Sequence, residues 1–116
     1  MEIELLNELK EFYGTENYYP STFGRLQLTD GMHFLREKAE CYWLIDVVES
    51  YQYKLSKEEF QIWTIKLTED GGAIITCKED TNAPILIKQV IPYTDFPLKE
   101  FEFYCVGGVV MLKGEY

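Results

Sequence analysis

The sequence predicts an α+β domain, with N-terminal helices packed on one face of an antiparallel sheet of about four to five strands. Apolar residues recur at helical spacing through the first half and alternate with polar ones through much of the second. Gly71-Gly72 and Gly107-Gly108 fall between alternating segments, as hairpin turns do. Helical segments precede strand segments without interleaving, which excludes a doubly wound nucleotide-binding fold.

Residues 2–13 form the first expected helix, with Leu5, Leu9 and Phe12 on one face and Glu4, Glu8 and Glu11 on the wet one. Gly14 is its expected stop. Thr15 to Leu28, with Pro20, Ser21 and Gly24, reads as a loop holding a short extended piece at Arg25–Leu28. Thr29 or Asp30 caps a second helical region running to about Tyr53, with a break expected near Glu40. Within it, residues 41–48 are apolar around most of the helix circumference, as in a core helix. Lys54 to Glu59 is a connector, and Ser56 and Glu59 have capping-box spacing. Strands are expected at Phe60–Leu67, Ala73–Lys78, Ile85–Ile91, Phe101–Val106 and Val109–Lys113.

The 116 residues suit a single domain, 1–116, with a helical part over about 1–59 and a sheet part over about 60–116. A hydrophobic content of 47% and an aromatic content of 16% supply a core and exclude a disordered chain. The formal charge of −9 repels phosphate backbones and anionic lipid, which argues against direct nucleic-acid binding and membrane adsorption. A partner with a basic surface is the natural complement. Cys41, Cys77 and Cys105 are an odd, scattered set in apolar surroundings and point to a reducing compartment. Met1-Glu2-Ile3-Glu4 does not begin a signal peptide, so the expected location is cytoplasmic.

No cofactor is expected. Neither Gly-Gly pair has P-loop or dinucleotide spacing. His33 is the only histidine, which excludes a two-histidine metal site, and no G-x-S-x-G elbow marks a nucleophile. One constellation stands out on the second helical region, where Tyr42, Asp46, Glu49 and Tyr53 share a narrow face. Two carboxylates beside two phenols suit a polar ligand, acid–base chemistry or the exposed stripe of a buried helix. Tyr13, Tyr18, Tyr19 and Phe23 form an aromatic loop cluster suited to anchoring a partner or covering the core edge.

These residues resemble an uncharacterised domain-of-unknown-function family of short proteins from bacteria and their phages. The likeness rests on Gly14-Thr15 with Tyr18-Tyr19, Thr29-Asp30-Gly31, Tyr42-Trp43-Leu44-Ile45-Asp46 and Ser50-Tyr51-Gln52. It continues through Phe60-Gln61 with Trp63, Thr94-Asp95-Phe96-Pro97 and the closing Glu115-Tyr116. Lys113-Gly114 departs from the Pro-Ser typical there. The resemblance implies no activity; it implies a phage or mobile-element accessory gene. Three functions are in play: a non-catalytic binder of a basic host protein, a ligand-binding protein or enzyme using the Tyr42 face, and a self-associating domain, with a dimer among the outcomes.

Overall fold

The computed structural model describes residues 2–116. Helix α1 (Glu2–Leu9) starts with Glu2 and Glu4 at the positive end of its dipole and buries Leu5 and Leu9 one turn apart. It ends before Gly14. The amides of Glu11 and Phe12 bond three residues back, to Glu8 and Leu9, and this tighter turn brings Phe12 onto Phe34.

The following segment holds two short strands, β1 (Tyr19–Pro20) and β2 (Gln27–Leu28), which pair antiparallel. Of these only β2 overlaps the extended piece expected from the sequence. Helix α2 (Asp30–Lys38) has Thr29 as N-cap, its hydroxyl accepting from the Met32 amide at 3.3 Å. Helix α3 (Tyr42–Ser50) follows after the expected break. At the corner the Cys41 amide bonds the Arg36 carbonyl at 3.0 Å and the Glu40 amide bonds the Glu37 carbonyl at 3.3 Å. Those are the two bonds of a Schellman motif, and Glu40, at φ 50°, occupies the left-handed position usually given to glycine.

The remaining strands are β3 (Phe60–Leu67), β4 (Ala73–Lys78), β5 (Ile87–Ile91), β6 (Glu100–Val106) and β7 (Val109–Leu112). Together with β1 and β2 they form one sheet in the order β1-β2-β7-β6-β3-β4-β5. Two expectations are corrected here. The sheet has seven strands instead of four or five, and it is not wholly antiparallel, because β2 runs parallel to β7. A two-residue strand has no period to read, and its pairing is set by side chains far away in the sequence.

Alternation along the long strands sorts their side chains. Gln61, Trp63 and Ile65 are buried, whereas Thr64 is half-buried and Lys66 exposed. Trp63, Ile75, Cys77, Phe103 and Val110 share one hydrophobic cluster with Leu5, Leu35, Leu44, Ile45 and Val48 of the helices. Gly72 is required by space: a Cβ there would lie 2.3 Å from the Ile91 carbonyl oxygen. A polar network runs through the cluster. Gln52 and Gln61 exchange amide hydrogen bonds at 3.0 Å each, Trp63 Nε1 donates to Gln61 Oε1 at 2.9 Å, and Gln52 also donates to the Val48 carbonyl.

Gln61→Leu strands the Trp63 indole N–H and one donor of Gln52 in the core. Loss of about 1–3 kcal/mol is expected in urea unfolding, with the native fold retained.

Candidate functional site

The N-terminus of α2 is held by the carboxylate of Glu115 and by that of its own first residue, Asp30. Glu115, in the short 3-10 turn Lys113–Glu115, accepts from the Thr29 hydroxyl at 2.6 Å, the Gly31 amide at 3.0 Å and the Leu112 amide at 3.0 Å. Gly31 is needed for this approach, since a Cβ would lie 2.5 Å from Leu112 Cδ1 and 2.6 Å from Glu115 Oε1. Asp30 accepts from the Glu16 amide at 2.9 Å and the Tyr19 hydroxyl at 3.1 Å, while its own amide donates to the Thr15 hydroxyl. The Glu16 amide, then the Tyr19 and Thr15 hydroxyls, hold the Asp30 carboxyl below its ordinary value despite some desolvation.

Helix α3 grips the turn between β1 and β2 in the same manner. Glu49 is 2% exposed and accepts from the Ser21 hydroxyl, the Phe23 amide at 3.1 Å and the Arg25 amide at 2.9 Å. Desolvation pushes its carboxyl up, but the Ser21 hydroxyl, the two amides and the Arg25 charge outweigh that and hold it down. Asp46, one turn earlier, accepts from the Thr22 hydroxyl at 2.6 Å. Tyr42 is partly exposed, with its hydroxyl on Glu37 and the Arg36 guanidinium carbon 4.5 Å from its ring centroid. Tyr53 lies beyond the end of α3 and is exposed. The α3 face thus brings Asp46 and Glu49 onto one loop, with Tyr42 turned to Glu37 and Tyr53 left exposed.

In the aromatic loop cluster, Tyr13, Tyr18 and Phe23 are exposed. Tyr19 instead stacks on His33, ring centroids 3.8 Å apart, and its hydroxyl is pushed up by the bond to Asp30. Arg36 is nearly buried, donating to the Pro20 carbonyl at 3.1 Å and lying 3.0 Å from His33 Nδ1. Arginine only donates, so Nδ1 accepts and the ring proton belongs on Nε2, toward Glu37. All three cysteines are buried, and burial pushes their thiols up to about 12, far from a reactive thiolate.

A cleft of about 280 Å³ opens where α1, the α2–α3 corner and the loop after β5 meet. Glu4, Glu8, Glu40 and Asp95 line it, with Lys38 as its one cation. Among the described residues the contacts between basic and acidic side chains are Lys113–Glu102 at 2.9 Å and His33–Glu37 at 3.9 Å, so none of these four carboxylates has one. Helical spacing shows that Glu4 and Glu8 share a face, but the approach of Glu40 and Asp95 is tertiary. The one local signal was an acidic residue at a corner that favours glycine.

A model of a family of unknown function, DUF6876, matches residues 3–116. The chain belongs to the DUF6876 family. No curated protein and no solved structure matches it. Among the described residues, no group of three or more histidine, cysteine or acidic side chains is placed to hold a metal ion. No described helix is long and apolar enough to cross a membrane. In this DUF6876 protein, Thr15, Tyr19, Thr29, Asp30, Gly31, Gln52, Gln61 and Glu115 join separate segments through hydrogen bonds.

Asp30 and Glu49 both titrate below their ordinary values of 3.8 and 4.5, so the unfolded chain takes up their protons first as the pH falls. Their stabilisation is complete above the unfolded values and is lost as pH drops through the folded ones. Glu49→Gln is expected to cost about 2 kcal/mol at neutral pH, by urea unfolding. The gap from wild type narrows as the pH falls below 4.5; a gap independent of pH contradicts this role.

Proposed function

We propose that this protein is a non-catalytic binding domain whose acidic cleft receives basic side chains of a protein partner. The observation that carries the reading is Glu40. A side chain at φ 50° costs about 1 kcal/mol relative to glycine, and the Schellman corner needs only the backbone conformation. The carboxylate kept at that cost lines the cleft beside Glu4, Glu8 and Asp95. Strain retained at a surface cleft points to use of the side chain.

Cleft size and charge suit one or two lysine or arginine heads, with Lys38 setting an edge against a second positive group. The net charge of −9 adds long-range attraction and repels nucleic acid. The partner class proposed is a host protein with a basic, nucleic-acid-binding surface. The proposed setting is cytoplasmic, in a phage or mobile-element accessory role that blocks that surface. Catalysis draws no support from Asp30 and Glu49, which hold amides and hydroxyls, or from the cysteines, which are buried.

Glu40→Gly separates stability from function. It is expected to raise stability by about 1 kcal/mol in thermal or urea unfolding. Affinity capture from host lysate, compared at low and high salt, is expected to yield a basic partner that high salt releases and that Glu40→Gly with Asp95→Asn loses. A partner retained by that double variant, or insensitive to salt, contradicts the cleft as its site.

A further inference from the structure

The two edges of the sheet are finished differently. At one edge β1 is only two residues long and contains Pro20, so it offers little backbone for pairing. At the other, β5 is five residues long and pairs on one side only, with β4. Its neighbourhood is apolar and exposed: Val90 is 61% exposed, and Ile85, Leu86 and Tyr93 are also exposed. A single charge, Lys88, guards the strand. Residues 81–94 contain no aspartate or glutamate, the longest acid-free run in the chain. In a protein of charge −9, two copies meet there with the least carboxylate repulsion.

We propose that β5 pairs antiparallel with β5 of a second copy, about a two-fold axis through Gln89, joining two sheets into one. A two-fold interface must be self-complementary, and this strand is. Centring on Gln89 sets Ile87 against Ile91 of the second copy and Lys88 against Val90. The first pair puts aliphatic against aliphatic. The second lays the lysine stem over the exposed valine and keeps the two lysines off each other, since like charges directly opposite are unfavourable. Shifting the axis by half a residue toward Lys88 sets Lys88 against Gln89 and leaves Val90 facing Ile87, on opposite faces of the pleat. Because the β1 edge is short and proline-bearing, the pairing closes as a dimer instead of extending as a filament.

The test is sedimentation equilibrium of the full chain over a concentration series, with circular dichroism to verify folding. Wild type is expected to dimerise with increasing concentration. Val90→Lys sets lysine against Lys88 twice per dimer and is expected to weaken association about tenfold. The double variant Lys88→Glu with Val90→Lys sets glutamate against lysine at the same places and restores it. A wild type monomeric at all concentrations overturns the proposal. So does a dimer that Val90→Lys leaves intact, or one that the double variant fails to restore. Val90 and Lys88 are exposed, so a folded variant is expected, and Val90→Thr serves as a neutral control at the same site.

Discussion

The Glu115 carboxylate lies over the start of α2, where it accepts from the Thr29 hydroxyl and the Gly31 amide while also holding the Leu112 amide of β7. A helix begins with amides that have no partner inside it, and a carboxylate there satisfies them and meets the positive end of the dipole. Here that carboxylate comes from the far end of the chain, so capping one helix also fixes α2 against the last strand. Asp30 repeats the device toward residues 15–19, and Glu49 toward residues 21–25. The polar ties of the N-terminal half are made largely by acids holding amides and hydroxyls, and ion pairs are scarce among the described residues. An acidic chain with few cations thereby satisfies its inner polar groups without needing more lysine or arginine.

This use of carboxylates divides the acidic residues by role. Asp30, Asp46, Glu49 and Glu115 have partners and lend structure. Among the described residues Glu4, Glu8, Glu40 and Asp95 form no ion pair, and they gather at one cleft. A net charge alone cannot separate these groups, because solubility, structure and recognition contribute to it alike. Geometry does separate them: Asp30, Asp46, Glu49 and Glu115 hold segments in place, and the cleft acids come from three separate elements.

Much of the fold was legible in local pattern. The strands β3, β4 and β6 alternate over six or more residues, and the Thr29 cap and the corner at Glu40 announced α2 and its end. Strand β1 was not legible at this level and β2 only as an extended piece, because Tyr19–Pro20 and Gln27–Leu28 owe their pairing to the turn held by Glu49, far along the chain. Helical spacing places Asp46 and Glu49 on one face of α3 but does not show what that face meets. The Ser21–Arg25 turn laid against that face is what changes a candidate ligand site into a tertiary clamp. The acidic cleft escaped notice for a similar reason, since Asp95 reaches Glu4 and Glu8 only through the packing of the loop after β5.

The most direct measurement is a carbon-detected NMR titration of the side-chain carboxyls, followed together with the Glu16, Phe23 and Arg25 amide shifts. Asp30 and Glu49 are expected to titrate below 3.8 and 4.5, and the amides they hold should move at the same pH. Ordinary or raised values, with those amides unmoved as the carboxyls protonate, would show that these acids do not hold the chain together.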